Sequence, residues 1–132
     1  MSTLAVVFSL AFTGHPPAKL ERPKPRCRTR TCAERVARKQ CSNEHPVSCI
    51  RRAALRYRVS YQMLKRKAWC ESRFDPNASN GAHVGIFQFR VVFPSTWATT
   101  PYAEHSPWFA KWNALAAGYM HAVGRGGEWT CA

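Results

Sequence analysis

The chain has 132 residues, 20 Lys and Arg against 7 Asp and Glu, and a formal net charge of +13. That length suffices for one domain with a modest core and excludes a large multidomain enzyme. The charge draws the chain toward polyanions (nucleic acid, anionic lipid or anionic cell-wall polymer) without choosing among them.

The charge is lopsided, with sixteen of the 20 basic residues lying between Lys19 and Lys67. At the amino terminus, "LAVVFSLAF" (Leu4 to Phe12) reads as the apolar core of a secretory signal or membrane-proximal leader, assigned to residues 1–18. No Lys or Arg precedes it, "TGHPPA" is a poor cleavage site, and the run falls short of the roughly 20 apolar residues a bilayer span needs. Nothing else in the chain resembles a transmembrane segment. Residues 13–31 are rich in Pro and in Lys/Arg and read as a linker or basic arm, and the arm with its cysteines is taken as 19–44. Within it "CAERVARKQC" (Cys32 to Cys41) has the pattern of a short helix, and "SNEHPVSC" that of a turn-rich loop.

From His45 the pattern turns helical. "PVSCIRRAALRYRV" places Val47, Ile50, Ala54 and Leu55 at spacings of three and four, with most arginines on the other face. Ser60 is positioned as the N-cap of the next helix, "YQMLKRKAWCES". On that helix Tyr61, Leu64, Ala68 and Glu71 follow a 3-4-3 step and share one stripe. Pro76 disfavours helical geometry at Asp75, so the helix is predicted to end near Ser72 to Phe74. "DPNASNGAHVG" reads as loop and "IFQFRVVF" as a strand without an obvious partner. "PSTW" suggests a helical turn from Pro94. The clearest helix is last: Ser106 as cap, Pro107 at the first helical position, and Gly124 as the stop. Its stripe is Trp108, Trp112, Leu115, Tyr119 and Ala122, so wide an apolar face that the helix should be mostly buried. The expected fold is therefore mainly α, one small helical domain over residues 45–132.

Glu71 carries the chemistry. It lies on the face with Leu64 and Ala68, where desolvation favours its neutral form; Lys67, one turn earlier, opposes this if its ammonium stays close. A carboxylic acid kept protonated near neutral pH can donate a proton to a departing oxygen, the task of a glycosidase general acid. A partly buried helix-end glutamate bonded to backbone or to Tyr119 is the plain alternative.

The residues around Glu71 resemble a known signature. "ESRFDPNASNGAHVGIFQF" is similar to the lysozyme-like superfamily, in particular its soluble lytic transglycosylase, goose-type lysozyme and resuscitation-promoting-factor branches. The matching residues are Glu71-Ser72, Phe74, Asn77-Ala78, Gly81 and Gly85-Ile86-Phe87-Gln88. "FRVVFPSTW" resembles the Gln-Phe…Thr-Trp stretch of the resuscitation-promoting branch. "WNALAAGYM", with Asn113 and Tyr119, resembles the later Asn…Ala-x-x-Tyr helix of the transglycosylases. The resemblance covers about residues 45–131. The loop from Gly81 to Gly85 is one residue longer than the usual form, and the cleft-building insertions of larger members are absent.

The resemblance implies a lysozyme-like fold and a substrate of alternating N-acetylated sugars, peptidoglycan, cut between MurNAc and GlcNAc. It implies Glu71 as the catalytic acid, Ser72 as a residue holding the substrate or the glutamate, and Gln88 and Phe87 as sugar contacts. Asn113 joins these as a substrate-binding candidate, and Tyr119 as the tyrosine whose hydroxyl lies near the glutamate. Phe87, Phe89, Trp97 and Trp112 are candidate stacking surfaces, although each also fits ordinary core packing. An inverting hydrolase needs a second carboxylate to activate water. The candidates are Glu104, in the "TTPYAEHSP" loop, and Asp75, which also reads as a turn cap; Glu128 is placed last. This scarcity of acids favours the one-glutamate route of the lytic transglycosylases, which closes a 1,6-anhydro ring, over a hydrolytic muramidase.

Six cysteines in so short a basic chain read as a disulfide framework. Many pairings are open; the candidates are Cys70 with Cys131, tying the end of the chain across the Glu71 helix, Cys41 with Cys49, and Cys27 with Cys32. The rival reading takes Cys27, Cys32, Cys41 and Cys49 as a zinc-ordered nucleic-acid-binding module, although paired C-x2-C knuckles are lacking. His15, His45, His83, His105 and His121 do not cluster and read as surface histidines. No metal or cofactor is expected. A further alternative keeps the fold without catalysis, as a wall-binding or structural virion protein. The expected setting is secreted or cell-envelope, or a phage virion or endolysin, with a monomer acting on glycan strands.

Overall fold

In the computed structural model, which describes Gly14 and residues 26–131, the chain is mainly helical: α1 (Arg30–Gln40), α2 (Pro46–Tyr57), α3 (Tyr61–Ser72) and α4 (Ala110–Ala122). A two-stranded hairpin, β1 (His83–Val84) and β2 (Phe89–Arg90), joins α3 to α4 together with the loops on either side. The leader, and the arm up to residue 25, lie outside the described residues.

Each boundary has a local cause. Thr29 Oγ1 accepts from the Cys32 N–H to cap α1, and Pro46 opens α2, where no backbone N–H is needed. Ser60 caps α3 as its sequence position suggests, accepting from the Met63 N–H at 3.2 Å. Arg73, at φ 55, ends α3 in a left-handed turn ahead of Pro76.

Two boundaries differ from expectation. α4 begins at Ala110 rather than Pro107, and its first free N–H is satisfied from far away: Asn43 Oδ1 accepts from Ala110 N at 2.7 Å. Residues 107–109 form turns, which leaves Trp108 and Phe109 exposed instead of in the apolar stripe. The second difference is α1. Assigned to an arm, it packs on α2, with Ala37 buried and Arg30 Nε donating to the Leu55 carbonyl at 3.0 Å. The helical body therefore starts well before residue 45. The strand expected in "IFQFRVVF" shortens to Phe89–Arg90 and finds its partner in His83–Val84.

α4 is the central element, with α2 lying along it. Ile50, Ala53, Leu64, Ala68, Ile86, Phe87, Ala114, Ala117 and Met120 form the middle of the core, all fully buried. Small residues set the approach of α2 to α4. A Cβ on Gly118 would lie 2.8 Å from the Tyr57 ring and 3.2 Å from Ala53.

Disulfides join Cys27 to Cys32, Cys41 to Cys49 and Cys70 to Cys131. These are the candidate pairs, and they leave no free cysteine among the described residues. The zinc reading loses its ligands here, because all four thiols it required are consumed in two of these bonds. In a chain-entropy account, closing the short loops contributes about 2 to 3 kcal/mol each, and the Cys70–Cys131 loop about 4 kcal/mol. No helix among the described residues is long and apolar enough to cross a membrane.

Candidate functional site

The last turn of α3 brings Glu71 to a cleft of about 420 Å³. Glu71, His83, Gln88, Phe89, Arg90, Thr96, Glu128, Trp129 and Thr130 line it. The cavity falls within the roughly 300 to 1,000 Å³ usual for ligand pockets. α3 supplies the floor, the hairpin one wall, and residues 125–131, folded back as a strap, the other.

Glu71 reaches this position because Leu64 and Ala68, on the same stripe, are buried and pull that face of α3 inward. Burial raises its carboxyl pKa above the ordinary value, against weaker opposing effects of His83 and Lys67. Lys67 does not swing out to solvent. Its ammonium donates to the Gly126 carbonyl at 2.7 Å and lies 5.7 Å from the centre of the Trp129 ring. Burial lowers the Lys67 pKa, with Glu71 acting the other way. His83 sits at the rim, its backbone N–H and Nδ1 both directed at Asn80 Oδ1, at 2.8 and 3.2 Å.

Ser72 fixes the helix end to the hairpin. Its hydroxyl lies 2.8 Å from the Ile86 carbonyl and 3.2 Å from that of Ala68, so it orients the glutamate's helix and does not line the cleft. Gln88 does line it. Its backbone is left-handed, at φ 49, and Nε2 donates to the Ala78 and Gly85 carbonyls at 2.9 and 2.8 Å. Gly85, at φ 80, permits the close turn beneath: a Cβ there would collide with the Asn113 amide and stand 2.7 Å from the Pro107 carbonyl.

Three sequence-predicted sugar contacts prove to be structural. Asn113 is fully buried; its Oδ1 accepts from the Phe87 N–H at 2.9 Å, and Nδ2 donates to the Val84 and Pro107 carbonyls. It is a buried clamp on the hairpin, beyond the reach of a ligand. Phe87 is likewise fully buried, its carbonyl accepting from Trp129 Nε1 at 2.7 Å. Tyr119 faces Tyr57, with ring centres 6.1 Å apart, and is absent from the cleft lining. α4 turns that side chain toward α2 rather than toward α3. Of the stacking candidates, Phe89 and Trp97 are buried, Phe89 showing only an edge to the cleft. Trp112 is half-buried, stacked on His105, and lines a different cavity with Phe109 and Lys111. The aromatic left bare is Phe93, 95% exposed, in the loop that Arg90 holds through the Pro94 carbonyl beside the cleft.

The acids are also rearranged. Asp75 Oδ1 accepts from the Asn77 N–H at 2.8 Å, closing an Asx turn, and neither Asp75 nor Glu104 lines the cleft. Glu128, placed last in the sequence, is the acid that does. The strap carries it there. Trp129 packs edge-on against Phe87 and Phe89 and stacks on His121, Lys67 holds the Gly126 carbonyl, and Cys131 is bonded to Cys70 beside Glu71. Sequence spacing offered no signal for Glu128, His83 or Trp129, because a strap's docking is a tertiary event.

Protein-family models, curated proteins and solved structures, compared with this chain, yielded no match.

Proposed function

We propose that the protein is a glycosidase that cuts the glycan strand of peptidoglycan between MurNAc and GlcNAc, with Glu71 as the proton donor, in the manner of the lytic transglycosylases its signature resembles. The observation that carries this reading is a half-buried glutamate at the end of a helix, opening into a cleft and kept toward its neutral form by burial. A neutral carboxyl can protonate the glycosidic oxygen as the bond to the anomeric carbon breaks, and an ionised one cannot. The lining suits a sugar: Gln88, Thr96, Thr130 and Arg90 present polar groups, and Trp129 and Phe89 an apolar edge.

The surplus of cations supports a wall-bound setting. Arg38, Arg52 and Arg56 crowd one another on α1 and α2, where burial and the two neighbouring guanidiniums lower the Arg52 pKa. A surface of that kind adheres to anionic wall polymers and lets go as salt rises. Three disulfides suit an oxidising, extracytoplasmic compartment.

The test is turnover of purified peptidoglycan by wild type and Glu71→Gln. Wild type should release soluble muropeptides, and Glu71→Gln should lose at least about 100-fold in rate, the low end for removing a general acid, with an unchanged melting curve. Wall binding that survives with no release by either protein would leave an adhesin in place of an enzyme.

A further inference from the structure

The cleft contains two carboxylates in unlike surroundings. Glu71 stands at a helix end amid buried side chains. Glu128 stands on the strap, with Arg125 Nε donating to its Oε1 at 2.7 Å and Arg125 Nη1 donating to Thr99 Oγ1 at 3.0 Å. An exposed ion pair of this sort adds under about 1 kcal/mol to stability, so its consequence is geometric. It holds Glu128 as a carboxylate in one place. The strap beneath it is fastened on both sides, by Lys67 to the Gly126 carbonyl, by Trp129 Nε1 to the Phe87 carbonyl, and by the Cys70–Cys131 bond. Few surface glutamates are fixed from so many directions, and this one shares its cavity with the proposed proton donor. One carboxyl disposed to give a proton and another disposed to take one is the division of labour that inverting glycosidases use.

We infer that Glu128 is the catalytic base of this cleft, activating a water that attacks the anomeric carbon, so that the strand is hydrolysed by single displacement and no anhydro ring is closed. The inference rests on the reading of Glu71 as the acid. In the step, the Glu71 proton passes to the glycosidic oxygen and the bond from that oxygen to the anomeric carbon breaks, its electron pair going to the oxygen. The water oxygen bonds to the anomeric carbon from the opposite face while Glu128 takes the water's proton. Solvent then returns a proton to Glu71 and removes one from Glu128. Overall one water is consumed, and a β-linkage yields an α-configured reducing end.

The experiment digests purified peptidoglycan with the full, disulfide-intact chain as wild type, Glu128→Gln, Glu128→Ala with and without sodium azide, and Glu71→Gln. Released muropeptides are weighed by mass spectrometry, and their first-formed anomer is read by NMR. Wild type should give reducing ends one water heavier than anhydro products, initially in the α form. Glu128→Gln should slow release about 100-fold or more while keeping the wild-type circular dichroism spectrum. In Glu128→Ala, azide needs no base and should restore release as an α-glycosyl azide. Anhydro ends from wild type, or an unslowed Glu128→Gln, would overturn the role of Glu128 while the Glu71 reading stands, provided Glu71→Gln is inactive. Slow release in Glu128→Ala with no azide adduct would also overturn it, as the mark of a lost ion pair. Absence of any release by wild type would overturn both.

Discussion

The α2–α4 pair and the cleft are assembled on opposite plans. Between α2 and α4, small residues let two helices approach until Gly118 touches Tyr57 and Ala53, and the contact is almost wholly apolar. Around the cleft the elements are short and irregular, and they are placed by single polar anchors: Asn113 under the hairpin, Ser72 on Ile86, Lys67 and Trp129 under the strap. Distributed packing tolerates the loss of one contact, whereas an anchored loop moves when its single anchor goes. The site is thus the part of the molecule most exposed to point mutation.

That contrast can be broken most sharply at Asn113. Asn113→Ala strands the buried Phe87 N–H and removes the bonds to two carbonyls, so unfolding in urea should show a loss of about 3 kcal/mol. Next comes the strap. Replacing Cys70 and Cys131 together by Ser should cost about 2 to 4 kcal/mol in the same assay, with the strap's Trp129 more readily quenched by acrylamide. A smaller effect is expected with pH. Burial, aided by Lys67, lowers the His121 pKa from 6.5 to about 4, and its Nε2 is buried without a partner. The folded state therefore binds fewer protons there than the unfolded state. Stability from this group is present above pH 6.5 and declines as pH falls from 6.5 toward about 4. The melting temperature should drop across that window, and His121→Gln should flatten the drop. Least of all, Lys67→Met removes one bond to Gly126 and should cost about 1 kcal/mol, seen as a small shift of the urea midpoint.

The same contrast explains what could be read from the residues. Local rules were sufficient for α3: the 3-4-3 stripe, the Ser60 cap and the stop before Pro76 each depend on neighbours within a turn. They placed Glu71 on an inward face and marked the segment as helix, hairpin region and helix. They failed where the partner is distant. Periodicity says that Tyr119 shares a stripe with Leu115 but not which helix that stripe meets, and the stripe side bearing Tyr119 meets α2. Asn113 and Phe87 looked like site residues because they belong to the same stretches as Glu71 and Gln88; the structure sends them to the core side of those stretches. Glu128 looked remote because its chain position says nothing of a strap that returns over α3.

The bond from Asn43 to the first turn of α4 has a consequence for how the chain comes together. The amide that starts the central helix is supplied from inside the small Cys41–Cys49 ring, 67 residues upstream. During synthesis this ring leaves the ribosome well before the helix it caps, so the template for the helix start is waiting when α4 emerges. A fragment trimmed to begin at His45 would retain every residue of α4 and lack the group that tells it where to begin.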